Sequence, residues 1–291
     1  MIAAGAYTAL VSPFLSGKLD EARLKDQIEA QISGGITGIV PVGTTGESPT
    51  LGFDEHERAI ELAVKYSGGR VKVMAGVGGN ATLEAEHLHR YAAGVGADYA
   101  LSVNPYYNKP SQEGLYAHFC HLSEKVPELP IVLYNIPGRT GITMSAATVA
   151  RLRKNANVIA IKEACGSLDM VSEIMAASDI PVLSGDDSLT VPMIALGGIG
   201  VVSVASNLLP GEISEMTRLA LAGQFPAAAA IHHKLFPLIK SLFADGNPVG
   251  IKHAMKLAGR DSGELRLPLV AANASTQMLI ADQMKALGLI G

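Results

Sequence analysis

The sequence predicts an α/β fold, namely a (β/α)8 (TIM) barrel with a small C-terminal helical appendage. Eight short apolar or β-branched runs alternate with amphipathic stretches, an order that favours parallel strands joined by right-handed crossovers. Eight such units within roughly 220 residues match the number of strands and the size of this barrel. The length of 291 residues and the hydrophobic content of 48% also suit one large folded domain.

The predicted elements divide the chain into a barrel, residues 1–225, and a helical segment, residues 226–291. The strands are expected at 6–11, 38–42, 71–77, 97–103, 131–136, 158–162, 181–185 and 200–204. The later part of the chain shows no further strand pattern, and its helices are expected at 211–222, 226–243, 247–259 and 273–288. A doubly wound open sheet is the alternative fold, but no glycine-rich dinucleotide turn follows the first strand.

Composition and charge exclude several classes of protein. A net charge of −4 with scattered Lys and Arg gives no electrostatic surface for nucleic acid. The two cysteines, Cys120 and Cys165, lie outside any C-x-x-C motif and indicate a reducing compartment. The uncharged stretch 188–211 is interrupted by proline and glycine, so we expect a buried helix–strand–helix passage instead of a membrane span. Since the N-terminus also lacks a secretory pattern, we expect a cytoplasmic protein.

Unusual polar and aromatic residues follow five of the predicted strands. In a barrel of this type, chemistry is carried out at the carboxyl ends of the strands, so these residues predict an active site at that rim. They are GTTGES (43–48), NPYYNKP (104–110), YNIPGRTG (134–141), Lys162-Glu163 and SGDD (184–187).

Lys162 is the most informative of these residues. Alternation along the strand places Lys162 on the same face as Val158 and Ala160, and we expect that face to point into the barrel. A lysine amine in such a position is a nucleophile towards carbonyl groups. The alternative is a structural lysine paired with a carboxylate.

The GTTGES turn and Arg139 are candidate anion-binding groups. The backbone N–H groups of the turn could hold a carboxylate or a phosphate, although an ordinary βα turn is equally consistent with the sequence. Arg139 lies on a short exit loop and could bind a carboxylate through two hydrogen bonds. A salt bridge with Asp186 or Asp187 is the alternative for this arginine.

Three tyrosines, Tyr106, Tyr107 and Tyr134, lie at the same rim. A phenol near an amine can relay protons, while packing at a loop or at a subunit interface is the alternative role. All eight histidines fall in predicted helices, so we predict no metal. The glycine-rich run at 76–80 lacks the last glycine of the dinucleotide pattern, and we expect no nicotinamide cofactor.

An amine, an anion-binding turn, tyrosines and an arginine together describe Schiff-base chemistry on an oxoacid. Over essentially the whole chain, the sequence resembles the pyruvate-dependent class I aldolase superfamily, which includes N-acetylneuraminate lyase and the dihydrodipicolinate synthase family. The two threonines of GTTGES and the presence of Arg139 are typical of the synthase branch. The other motifs that carry the resemblance are NPYYNKPSQEGLY (104–116), IKEACG (161–166) and SGDD (184–187).

The resemblance implies a lyase that condenses pyruvate with L-aspartate 4-semialdehyde, the first committed step of the diaminopimelate route to lysine. It implies an imine on the enzyme in place of a cofactor, and a homotetramer. The charge of the chain and the interrupted stretch 188–211 predict no nucleic-acid or membrane partner. The implied catalytic residues are Lys162 for the imine, Tyr134 for proton transfer, and Thr44 with Tyr107 of a neighbouring subunit for the proton relay. The implied substrate-binding residues are Thr44 and Thr45 for the pyruvate carboxylate, Arg139 for the semialdehyde, and Val202 and Gly185 for the pocket wall.

The resemblance also implies an effector site for L-lysine at Ser48, Pro49, His56, Asn80, Glu84 and Tyr106. Two positions depart from the pattern of inhibited members, because Phe53 stands where histidine is frequent and Pro49 where alanine is common. A sister aldolase that cleaves a 2-keto-3-deoxy sugar acid or N-acetylneuraminate is the alternative activity, and Arg139 argues against it. A binding protein without turnover is an alternative of another class.

Overall fold

A computed structural model describes residues 1–154 and 157–291, and within them eight parallel strands close into a barrel. Each strand pairs with the next along the chain, and the last pairs with the first, where Tyr7 lies opposite Val202. The predicted fold class is therefore confirmed. The strands are β1 Gly5–Ala9, β2 Gly38–Val40, β3 Lys72–Gly76, β4 Tyr99–Val103, β5 Ile131–Asn135, β6 Val158–Glu163, β7 Val182–Ser184 and β8 Gly200–Ser203.

The strands are short and apolar because both of their faces are buried, as parallel sheets require. Ile39, Val132 and Val201 are completely buried, and each such aliphatic side chain contributes about 1.5–3 kcal/mol on burial. Close packing sets one position on β2. A Cβ atom added at Gly38 would lie 2.6 Å from the Tyr7 ring, so only glycine leaves room for that tyrosine inside the barrel.

Helices surround the barrel and begin at residues that suit helix starts. Asp20, Ser111, Ser145 and Ser167 each accept a hydrogen bond from a first-turn amide with the side chain. The helices are α1 Glu21–Ser33, α2 Phe53–Ser67, α3 Thr82–Gly94, α4 Gln112–Lys125, α5 Pro137–Thr140, α6 Ala146–Arg153, α7 Leu168–Ala177, α8 Thr190–Ala195 and α9 Pro210–Leu221. A small antiparallel hairpin joins Phe14–Leu15 to Lys18–Leu19.

The C-terminal segment forms α10 Phe225–Leu242, α11 Val249–Leu257 and α12 Ala274–Ala286, close to the predicted helices. It does not have a core of its own. Ile280 and Met284 of α12 belong to the same buried cluster as Tyr7 and Leu10 of the barrel.

The uncharged stretch at 188–211 folds as expected. It contains α8, the strand β8 and the first residues of α9. Its apolar side chains pack in the protein interior, where Met193 and Val202 are both buried. None of the helices in the described part of the chain combines the length and the apolar character needed to cross a membrane.

Candidate active site

Lys162 and Tyr134 lie side by side at the carboxyl end of the barrel. The register between β5 and β6 places Tyr134 directly opposite Lys162. The Lys162 Nζ atom is 4.0 Å from the centre of the Tyr134 ring, and the two residues are only 6% and 5% exposed. The pairing of neighbouring strands thus brings an amine against a phenol in a site that is shielded from bulk water.

The surroundings of Lys162 do not support the structural alternative. The ion pairs formed by the described residues involve other cations, and none includes Lys162. Asp186 is the carboxyl that interacts electrostatically with this lysine. Burial raises the pKa of Asp186 above its usual value, while Lys162 and Lys240 act in the opposite direction.

Gly185 makes room for the lysine. A Cβ atom added at this position would lie 2.5 Å from the Ala164 Cβ and 3.1 Å from the Lys162 Cε. The Gly185 amide donates to the Glu163 carbonyl at 2.7 Å, which fixes the end of β7 beside β6. A side chain at this position would therefore displace either the strand end or the amine.

Val202 and Asp187 are buried at the neighbouring strands β8 and β7. Val202 is fully buried on β8. Asp187 is fully buried and accepts from the Ser203 hydroxyl and, at 2.9 Å, from the Val204 amide. Burial raises the pKa of Asp187, and these donors oppose the shift. The second aspartate of SGDD therefore ties β7 to β8 and is not available to Arg139.

The GTTGES turn presents two unused amides. The turn is closed by bonds from the Gly46 and Ser48 amides to the Gly43 carbonyl, at 3.1 and 3.3 Å. Neither the Thr44 nor the Thr45 amide donates to another protein group in the part of the chain that the structure describes. Neighbouring N–H groups without partners are the kind of donor that can form a concave site for an anion.

Arg139 lies on α5 and is exposed. Its guanidinium donates to the Asn247 carbonyl at 2.8 Å. The salt bridge with Asp186 or Asp187, which was the alternative role of this arginine, is absent from the ion pairs of the described residues. The same Asn247 donates through Nδ2 to the Thr45 hydroxyl at 2.9 Å. One residue of the C-terminal segment therefore connects the arginine to the anion-binding turn.

A cavity of about 520 Å³ lies beside this turn. Thr44 and Arg139 line one part of it, and the lining does not include Lys162 or Tyr134. Five of the six residues expected at a lysine effector site line the same cavity: Ser48, Pro49, His56, Glu84 and Tyr106. The sixth, Asn80, does not line it, and its carbonyl accepts from the Asn108 side chain at 2.8 Å.

Burial shifts the pKa of two of these lining residues, His56 and Tyr106. The His56 Nε2 atom lies 2.7 Å from the Gly76 carbonyl, and burial lowers the pKa of His56. Burial also raises the pKa of Tyr106, and Glu84 adds to that shift. Phe53 forms part of the wall and makes an edge-to-face contact with His87 at 5.5 Å between ring centres.

Tyr107 does not approach Lys162 within its own chain. Its residue surface is 89% exposed, and its backbone adopts a φ of 73°, which is rare outside glycine. The neighbouring Tyr106 lines the cavity instead.

Sequence reasoning missed a buried polar chain beside the lysine. The Asn104 side chain donates to Asn135 at 3.0 Å, and Asn135 donates to the Glu163 carboxyl at 2.9 Å. Burial raises the pKa of Glu163, and it raises the pKa of the Cys165 thiol to about 12. The chain joins the ends of β4, β5 and β6. The sequence signal that could have indicated this chain is the presence of a polar residue at each of three successive strand ends.

The fold and the site define a class of enzyme. A shielded lysine against a tyrosine, at the carboxyl rim of a (β/α)8 barrel that also carries two free amides, is the arrangement of a class I aldolase, which works through a Schiff base. Among residues 1–154 and 157–291, no group of three or more His, Cys, Asp or Glu side chains is placed to hold a metal ion.

Comparison with known proteins identifies the family. Residues 3–287 match the model of the dihydrodipicolinate synthetase family. The 4-hydroxy-tetrahydrodipicolinate synthase of Methanocaldococcus jannaschii is 48% identical over 287 residues, which cover 98% of this chain and 99% of the relative. The chain therefore belongs to the dihydrodipicolinate synthetase family, and the resemblance drawn from its motifs is confirmed.

Solved structures agree with this assignment. The dihydrodipicolinate synthase of Aquifex aeolicus has a TM-score of 0.97 and 46% identity, with 98% of each chain covered. The enzyme of Cyanidioschyzon merolae, solved with lysine bound, has a TM-score of 0.95 and 39% identity, with 99% of each chain covered. Both similarities extend over the barrel and the C-terminal helices, so the chain is a lyase of the class I aldolase type. The sugar-acid alternative is not favoured.

Proposed function

We propose that this chain condenses pyruvate with L-aspartate 4-semialdehyde to give 4-hydroxy-tetrahydrodipicolinate, the first committed step of the diaminopimelate route to lysine. The observation that carries the proposal is the Lys162 amine, held 4.0 Å from the centre of the Tyr134 ring in a shielded site. The amine attacks the ketone carbon of pyruvate, and water leaves as the imine forms. Loss of a proton from the methyl group gives the enamine.

The enamine then attacks the aldehyde carbon of the second substrate. The amino group of that substrate displaces Lys162 by transimination, which closes the ring and returns the free lysine. We assign to Tyr134 the holding and return of protons during these steps; this role is supported by the 4.0 Å between the amine and the centre of its ring and by the ability of a phenol to relay protons. Thr44 and Tyr107 of a neighbouring subunit would complete the relay.

Each of the two substrates carries a carboxylate, and the site contains two groups that could each bind one of them. The free Thr44 and Thr45 amides suit the pyruvate carboxylate, which they can hold without a counter-charge. The Arg139 guanidinium suits the carboxylate of the semialdehyde. Gly185 and Val202 would form the apolar wall against the pyruvate methyl group.

Assembly and location belong to the same proposal. A homotetramer accounts for Tyr107, because that side chain is exposed on its own chain and would be supplied to a neighbouring site. The imine with pyruvate takes the place of a cofactor, and no metal is required. A cytoplasmic location, without nucleic-acid or membrane partners, stays a prediction.

Feedback inhibition by L-lysine is supported by the cavity of about 520 Å³. Glu84 supplies a carboxylate for an amino group, while Ser48 and Tyr106 supply hydroxyl groups. Phe53 places an apolar ring in the wall, and Pro49 offers no amide donor. We therefore propose inhibition that requires a high lysine concentration.

Trapping with borohydride tests the imine directly. Incubation with pyruvate and sodium borohydride should reduce the imine to a stable adduct on Lys162, identified by peptide mass spectrometry. Lys162→Ala should abolish the adduct, whereas Lys125→Ala removes an exposed lysine and should leave it unchanged. An adduct on another lysine, or none on the wild-type protein, would contradict the proposal.

A further inference from the structure

The C-terminal segment contacts the anion-binding turn at two points. Asn247 donates through Nδ2 to the Thr45 hydroxyl at 2.9 Å, just before α11 begins. Within α11, the Lys252 Nζ atom donates to the Glu47 carboxylate at 2.7 Å. Both contacts join residues that are more than 200 positions apart in the sequence. The two contacts hold the turn at Thr45 and at Glu47, on either side of Gly46.

The Lys252–Glu47 ion pair is completely buried, with both side chains 0% exposed. Lys252 also donates to the Ser12 carbonyl at 2.8 Å and lies 4.2 Å from the centre of the Phe14 ring. The other oxygen of Glu47 accepts from the Arg266 amide at 3.0 Å. Burial lowers the pKa of Lys252, and Glu47 opposes that shift.

Stability alone is a weak explanation for this pair. Two buried charges lose their hydration, and apolar residues of similar volume would often stabilise a protein equally well. A buried ion pair does, however, fix a single geometry, because each charge is tolerated only against its partner. The geometry fixed here is that of the turn.

Glu47 shows why the turn needs an external anchor. Its φ of 55° lies in the left-handed region, which is unfavourable for a residue with a side chain. In this conformation its amide bonds the Thr44 carbonyl at 3.1 Å. The neighbouring Thr44 and Thr45 amides have no acceptor among the described residues, and such free N–H groups are available to an anion. The contacts of the Glu47 carboxylate therefore maintain the shape on which the two free amides depend.

Asn247 provides the second anchor. Its residue is 8% exposed, and among the described residues its Oδ1 atom has no hydrogen-bond partner. Its carbonyl accepts from Arg139 at 2.8 Å, while its amide group donates to Thr45. Asn247 thus relates the position of the proposed semialdehyde-binding arginine to that of the proposed pyruvate-binding turn.

We propose that Lys252 and Asn247 are positioning residues which lock the turn 43–48 in the shape that binds the pyruvate carboxylate. The inference rests on the proposed function, because it takes pyruvate as the anion at this turn. Docking of the C-terminal segment and binding of pyruvate are then thermodynamically coupled, and each favours the other. The segment is part of the substrate site and not only part of the scaffold.

Trapping as a function of pyruvate concentration tests the positioning role. The double variant Glu47→Gln/Lys252→Met removes both charges and keeps similar volume, and Asn247→Ala removes the second anchor. Each should raise the half-saturating pyruvate concentration about tenfold, within the usual range of coupling between sites, and leave the final extent of trapping on Lys162 unchanged. Lys256→Met removes an exposed lysine from the same helix and should behave as the wild type.

A purely structural role would give a different result. Thermal stability would fall in the two variants, while the half-saturating concentration for the folded protein would stay at the wild-type value, and this outcome would overturn the proposal. A wild-type protein that traps no pyruvate at all would instead contradict the proposed function.

Hydrogen exchange on the wild-type protein keeps the test independent of how the variants fold. Saturating pyruvate should slow amide exchange in peptides that span 245–257, because binding stabilises the docked segment. A peptide from α7 serves as an internal reference. Unchanged exchange at 245–257, under conditions in which pyruvate is trapped on Lys162, would overturn the coupling.

Discussion

Two buried histidines should make the free energy of unfolding fall strongly as the pH is lowered below about 7. His89 on α3 and His118 on α4 are 0% and 5% exposed. The His89 Nδ1 atom lies 2.6 Å from the Ala85 carbonyl, and the His118 Nδ1 atom lies 2.9 Å from the Thr82 hydroxyl. Burial lowers the pKa of each histidine from 6.5 to about 4. Both side chains are therefore neutral in the folded protein at pH 5.

The sign and the size of the effect follow from these values. Below about pH 6.5 the unfolded chain binds a proton on each histidine that the folded chain does not bind, so stability is complete above that pH and is lost as the pH falls towards 4. From pH 7 to pH 5, each histidine should cost about 2 kcal/mol of the free energy of unfolding. The pair should therefore cost about 3–4 kcal/mol.

Urea unfolding at fixed protein concentration measures this loss, with circular dichroism as the signal because the chain has no tryptophan. The double variant His89→Gln/His118→Gln should lose about 3–4 kcal/mol less than the wild type between pH 7 and pH 5. Buried carboxyl groups titrate in both proteins, so the comparison isolates the histidines. His233→Gln, an exposed position, should follow the wild type. Equal pH dependence in the wild type and the double variant would refute the reasoning.

Three further predictions concern the site. Gly185→Ala should slow imine trapping at least about tenfold, because the added Cβ would lie 3.1 Å from the Lys162 Cε. The control Gly138→Ala adds a Cβ in open space and should trap at the wild-type rate. Equal trapping rates for the two variants would show that a side chain at Gly185 does not crowd Lys162. Arg139→Ala should raise the KM for the semialdehyde at least about tenfold and leave the pyruvate dependence of trapping nearly unchanged, so a matching rise for pyruvate would contradict the assignment. Lysine at millimolar concentration should lower the initial rate, and Phe53→His should strengthen the inhibition; a flat lysine titration would remove the effector site.

The sequence was sufficient to predict the barrel because its strands are local features. Short β-branched runs with both faces buried identify themselves without knowledge of their partners. Alternation along one strand was likewise sufficient to direct Lys162 inwards, where the structure shows it buried. The helices of the C-terminal segment were predicted within a few residues for the same reason.

Contacts between distant parts of the chain could not be predicted in this way. Asn247 and Lys252 were assigned to an appendage, yet they contact Thr45 and Glu47 in the proposed site. Nothing in the local pattern of either segment specifies that pairing, which depends on how α11 packs against the barrel. The outward position of Tyr107 also could not be derived, because a backbone φ of 73° at a non-glycine residue is set by tertiary context.

The most direct test of the central claim is the initial rate with pyruvate and L-aspartate 4-semialdehyde, with the product followed through the reductase that consumes it. The wild type should turn over, Lys125→Ala should keep that rate, and Lys162→Ala should lose it together with the borohydride adduct. Turnover that persists in Lys162→Ala would contradict the Schiff-base mechanism. A pyruvate adduct on Lys162 without turnover of the semialdehyde would contradict the proposed second substrate.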